Sequence, residues 1–170
     1  MADIQEASLY DRDFYQWAQD QARAVRNLRD AAARPGNNLP AALEALDWDN
    51  LVEELDGLAK GVRSELTNRI VLIIEHLVKL ELSPANDPRR GWEETVQRSR
   101  LNLGILLDGN PSLRREIPMI LGSPIPGKVA RFTVDDLIRR GETPIGTAAP
   151  AYTQAQILED WWPRPPDASP

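Results

Sequence analysis

LVEELDGLAKGVRSELTNRIVLIIEHLVKL, residues 51–80, is the stretch whose reading decides the fold. Leu51, Leu55, Leu58, Val62, Leu66, Ile70, Ile73, Leu77 and Leu80 recur every three or four residues, the spacing that lines one face of an α-helix. Gly57 and Gly61 each cost about 1 kcal/mol in a helix interior, yet the apolar phase crosses both without a slip. The spacing therefore predicts one helix over residues 50–82. Its second half, IVLII followed by LV, is apolar nearly all round, so neighbours must cover it on most sides.

The same stretch carries the paired carboxylates Glu53 and Glu54 and the chain's one histidine, His76. Helix geometry argues against a divided site made from them. At 1.5 Å per residue, Glu53 and His76 sit about 34 Å apart and point about 140° away from each other. Glu54 faces nearly the same way as His76 but is about 33 Å distant. A structural role suffices for Glu53: with Asn50 as N-cap it closes a capping box, and Asp47, Asp49 and Glu54 favour the positive end of the helix dipole.

Upstream, Ser8 and Asp11 form a capping pair. Tyr10, Phe14, Trp17, Gln21, Val25 and Leu28 then trace an amphipathic helix to about Arg34, where Pro35-Gly36-Asn37-Asn38 breaks it. Residues 40–46 suit a short helix leading to Trp48. Downstream, Ser83 to Pro88 end the long helix, and Trp92, Val96, Ser99, Leu103 and Leu106 mark an antiparallel return, stopped by Asp108-Gly109-Asn110-Pro111. A shorter helix over 112–121 contains Pro118, which is expected to shorten or bend it. Gly122, Pro124, Pro126 and Gly127 read as a rigid loop, with Thr133 capping a brief helix to Arg140. After a second loop, Thr153 and Gln156 form a capping box for a last helix that ends in Trp161-Trp162-Pro163. The expected fold is all-α: a compact helical bundle on one long central helix, with antiparallel neighbours and an irregular C-terminal third. Residues 1–163 read as one helical domain and 164–170 as a proline-rich frayed tail.

Five stretches carry a family resemblance: LYDRDFYQWAQDQARAVR, LDWDNLVEELDGLAKGVRSEL, IIEHLVKLEL, GWEETVQRSR and YTQAQILEDWWP. In this order they resemble the bacterial family catalogued as domain of unknown function twenty-nine, over residues 9–163. The resemblance implies a compact α-helical protein with no assigned activity, and it supplies no catalytic residues. The chain departs from the family pattern over 122–150. There the family reads as a more continuous helix rich in Ala and acids, where this chain has LGSPIPGK and RGETPIGTAAP.

Composition narrows the chemistry. At 170 residues, with 42% hydrophobic and 27% charged, the chain suits a globular domain rather than a disordered one. The absence of cysteine excludes disulfides, thiolate metal sites and cysteine nucleophiles. The N-terminal MADIQEASLYDRDF lacks the basic-then-apolar pattern of a signal peptide, and IVLIIEHLVKL is too short to span a bilayer, so a cytoplasmic protein without membrane contact is expected. A net charge of −6 argues against nucleic acid as a general partner. Lysine occurs only at 60, 79 and 128; the positive charge is mostly arginine, which favours fixed pairs with carboxylates. No phosphate loop, dinucleotide fingerprint or E-x-x-H pair is present. The arginines at 89, 90, 98 and 100 cluster around Trp92, where pairing with Glu93, Glu94 and neighbouring acids is preferred over a phosphate contact.

The leading expectation is a binding module without catalysis or cofactor, docking on a protein partner or a second copy of itself. Trp161 and Trp162 are the candidate partner residues, although a plug at the open end of the bundle is the preferred role for at least one of them. The rival is a metal- or small-ligand-dependent enzyme with a pocket between the first two long helices, using Tyr10, Asp13, Glu65, Arg69 and His76. In the preferred reading His76 is instead a core-edge histidine, at least half buried and hydrogen-bonded to Tyr10 or Asp13. A third reading is an acidic inhibitor that mimics nucleic acid; it needs the acids gathered on one face, and here they are scattered among arginines.

Overall fold

The computed structural model describes residues 7–34, 40, 43 and 45–166. Seven α-helices occur among them: α1 (Leu9–Arg12), α2 (Phe14–Ala32), α3 (Trp48–Leu82), α4 (Arg89–Gly109), α5 (Glu116–Leu121), α6 (Pro124–Arg139) and α7 (Gln154–Leu158). A 3₁₀ turn, Pro111–Arg115, precedes α5, and no strand occurs among the described residues. The helix expected over 40–46 falls partly outside the described residues, at 41, 42 and 44, and the Pro35 to Asn38 break and residues 167–170 of the tail lie wholly outside them.

The long helix forms as the spacing requires, 35 residues without interruption at Gly57 or Gly61. Fully burying one Leu or Ile side chain is worth about 1.5–3 kcal/mol, and Leu66, Ile70, Ile73, Ile74, Leu77, Val78 and Leu80 are all at most 2% exposed. The cost of two glycines is small beside that. The cap falls three residues before the expected one. Asp47 accepts from the Asn50 amide at 3.2 Å and from Asn50 Nδ2 at 2.7 Å, so Glu53 is exposed in the second turn rather than closing a capping box.

The described residues group into two compact units. The first comprises residues up to Ser64 together with Gly109–Leu113. Arg26 pairs with Asp56 and Arg29 with Asp49, so α2 runs antiparallel to the start of α3. Ala18 and Ala22 from α2, and Val52 and Ala59 from α3, are buried.

The single N-terminal helix expected up to Arg34 is in fact two. Asp13 breaks it, with φ −158° and ψ 82°. Its carboxylate accepts from the Gln16 amide at 2.9 Å, the Ser112 amide at 2.7 Å and the Ser112 hydroxyl at 2.8 Å. The Tyr15 amide donates to Asn110 Oδ1 at 3.0 Å. Thus Asp13 caps α2 and holds the turn after α4; an unbroken helix would forgo both functions.

The second unit comprises the remainder of α3 from Glu65, α4 to Asp108, and everything from Arg114 onward. Its core joins the α3 residues named above to Val96, Ser99, Leu103 and Leu107 of α4, Ile117 and Ile120 of α5, Ala130, Val134 and Leu137 of α6, and Ile157 of α7. The rigid loop expected over Gly122 to Gly127 is instead the start of α6. Ser123 is the N-cap, accepting from the Ile125 amide at 3.4 Å, and Pro124 is the first helical residue. The first four amides of a helix have no intrahelical partner, so Pro124 and Pro126 sacrifice no hydrogen bond there. Pro118 is tolerated in the same way, as the third residue of α5. Thr133 is not a cap; it lies buried within α6, its hydroxyl donating to Val129 O at 2.9 Å.

Helix α6 closes with a Schellman motif. Gly141, at φ 74°, donates to Ile138 O at 3.0 Å, and the Glu142 amide to Leu137 O at 2.9 Å. The chain then ties back to the end of α3: Glu142 accepts from the Ser83 hydroxyl, and the Thr143 hydroxyl donates to Leu82 O at 2.9 Å. Arg89 donates to Leu80 O at 2.5 Å, supplying another of the carbonyl partners that a helix end lacks.

Two stability measurements check this account. Asp13→Ala should cost about 2–3 kcal/mol in urea unfolding, because it strands buried donors, with Asp13→Asn costing less. Gly141→Ala should cost about 1–2 kcal/mol, the penalty for a left-handed conformation at a residue with a Cβ, although its methyl would meet nothing.

Candidate functional site

The five residues of the expected ligand pocket each have structural engagements of their own. Tyr10, 53% exposed, packs edge-on against Phe14 and Trp17, with ring centroids 5.4 and 4.9 Å away. Asp13 is committed to Gln16 and Ser112. Glu65 and Arg69 form an i, i+4 pair at 3.2 Å on α3. His76 is mostly buried, but its partner is not on the first helix. Nδ1 lies 2.9 Å from Leu72 O, one turn back on α3, so that nitrogen carries the proton and donates. The helix itself thus meets the need for which Tyr10 or Asp13 was expected. Among the described residues no group of three or more His, Asp or Glu side chains is arranged to hold a metal ion.

The C-terminal tryptophans are placed by a residue that local patterns do not single out. Arg100, on α4, donates from Nε to Ile157 O at 3.0 Å and from Nη2 to Gln156 O at 2.8 Å and Trp161 O at 2.7 Å. Its guanidinium also lies over the Trp162 ring, 5.0 Å from the centroid. One side chain therefore satisfies carbonyls at the end of α7 and fixes the chain that follows. Burial lowers the affinity of Arg100 for its proton, an effect opposed by Asp160, and Nη1 is buried without a hydrogen-bond partner among the described residues.

Around this clamp, the Tyr152 ring lies 6.0 Å from that of Trp161, its hydroxyl donates to Glu81 at 2.7 Å, and Trp162 Nε1 donates to Asp160 at 2.7 Å. Burial first, then the hydrogen bond and charge of Glu81, push the Tyr152 phenol well above its ordinary value, so it remains a donor at physiological pH. Both tryptophans are partly buried and both border a cleft with Glu81, Pro163 and Arg164. The segment is pinned, yet keeps indole surface accessible.

Apolar surface also faces outward elsewhere in this unit. Leu101 and Ile105 are one turn apart on α4 and 64% and 63% exposed. Ile125 and Phe132, two turns apart on α6, are exposed as well.

These features define an all-α protein with a pinned aromatic C-terminal segment and exposed apolar positions on its helices. The chain belongs to the family described as domain of unknown function DUF29, whose model matches residues 9–162. A solved structure with the same fold is that of an alpha-helical protein of unknown function from Rhodospirillum rubrum. The two are 21% identical, with a TM-score of 0.62 over 91% of this chain and 92% of that one. No curated relative matches the chain. Among the described residues no helix is long and apolar enough to cross a membrane.

Arg100→Met should cost about 2–3 kcal/mol in urea unfolding, because three carbonyls lose a charged donor. Tryptophan fluorescence should shift to the red in the same variant under native conditions. An unchanged emission spectrum would show that Arg100 does not position the segment.

Proposed function

We propose that this protein is a non-catalytic binding module that docks a protein partner, or a second copy of itself, on an outward helix face. One observation carries the reading: Leu101 and Ile105 stand exposed side by side on α4, although the opposite face of that helix is fully used in the core. Paired apolar residues at i and i+4 are the usual anchors of helix-mediated docking. Further support comes from the titratable residues, because Asp13, Glu65, Arg69 and His76 each have a structural engagement. The acidic-mimic reading has less support, since carboxylates alternate with their arginine partners, as at Arg23–Asp20, Arg90–Glu94 and Arg139–Asp136. The pinned tryptophans provide a second, rigid aromatic edge beside which a partner could rest.

The test is a Leu101→Glu, Ile105→Glu double variant. Both side chains face water, so the melting temperature should change little. Light scattering over a wide concentration range, and photo-crosslinking in the native host from residue 97, exposed one turn before Leu101, should reveal a complex that forms with the wild type and not with the variant. A wild-type protein that stays monomeric and yields no crosslink sensitive to the double substitution overturns the proposal.

A further inference from the structure

Between α3 and α4 lies a cleft of about 190 Å³ that the proposed docking face does not use. Arg69 reaches it from α3, while Arg98, Ser99, Asn102 and Thr95 line it from α4. Ser99 is only 3% exposed, so its short hydroxyl lies at the floor of the cleft. Glu94, the acid one turn before Arg98, pairs with Arg90 at 3.0 Å, which leaves the Arg98 guanidinium without an ion pair among the described residues. The Thr95 hydroxyl is spent on Gly91 O at 2.8 Å. Gly91 also lines the cleft, and a Cβ built there would meet nothing within 4 Å, so one wall is bare backbone in the first turn of a 21-residue helix.

We infer that this cleft binds a phosphate group, either as the free anion or as a small phosphate monoester. The donor set decides the sign of the ligand. Three arginines, at 69, 90 and 98, stand against two glutamates, at 65 and 94, which leaves the neighbourhood one positive charge in excess. The hydroxyl and amide supply neutral donors at the same place. A guanidinium offers a forked pair of N–H groups that matches phosphate oxygens, and the tetrahedral anion can accept from several directions at once. Glu94 lines the cleft too; its charge is held by Arg90, and it restricts the anion to the side nearer Arg98 and Ser99.

The experiment is a titration of the full chain with inorganic phosphate, followed by amide chemical shifts, against sodium chloride at equal ionic strength. Saturable shifts confined to residues around Arg98 and Ser99 are expected. Arg98→Gln should weaken binding about tenfold or more, while Arg139→Gln, on α6 and outside the cleft, should not weaken it. Both arginines are exposed, so both variants should fold, and their spectra in chloride verify that. A parallel titration with glycerol phosphate distinguishes the sources: tighter binding than inorganic phosphate assigns a monoester, equal or weaker binding assigns the free anion. Shifts no greater than those in chloride, or an Arg98→Gln variant that binds as the wild type does, would refute the site.

Discussion

Burial of the second half of α3 is the constraint on which the larger unit depends. Apolar side chains leave that segment on almost every side, and each fully buried Leu or Ile contributes about 1.5–3 kcal/mol if it is covered. The helices α4 to α7 contribute the covering side chains, and their buried residues fall at the spacings that such packing demands. Covering the helix sideways does not satisfy its last carbonyls. Arg89 and Thr143 do that, which brings the irregular chain after α6 onto the end of α3.

Two charged side chains do work that no hydrophobic contact could. Asp13 holds backbone and hydroxyl donors of Ser112, and Arg100 holds three carbonyls in and after α7. In both cases a long-range bond from a side chain satisfies backbone groups at a helix boundary, where the helix itself provides no partner. The consequence for function lies with Arg100. Because the carbonyl of Trp161 and the ring of Trp162 are both engaged by one guanidinium, the aromatic segment is presented in a fixed conformation, and a partner meeting it would face little ordering cost.

Membership of the DUF29 family and the shared fold with the Rhodospirillum rubrum protein locate this chain among helical proteins without assigned chemistry. The helix faces and the polar cleft differ in what they could recognise. Leu101 and Ile105 offer apolar area to a macromolecule, whereas Arg98, Ser99 and Asn102 offer donors to a small anion.

The sequence by itself determined the all-α class, the uninterrupted α3, the return along α4, and the capping box of α7, in which Thr153 and Gln156 bond reciprocally. Each rests on contacts between residues a few positions apart, which spacing records directly. It also marked the proline-bearing start of α6, but its meaning was ambiguous: the same prolines that break a helix interior are tolerated in a first turn, and only the observed cap at Ser123 distinguishes the two. Tertiary structure decided the rest. His76 turned to its own helix, Asp13 split the N-terminal helix for the sake of a residue 99 positions away, and Arg100, one arginine in a basic run, became the clamp of a segment 56–61 positions distant. Local periodicity carries no information about such pairs, because which polar group satisfies which depends on where packing brings the backbone ends.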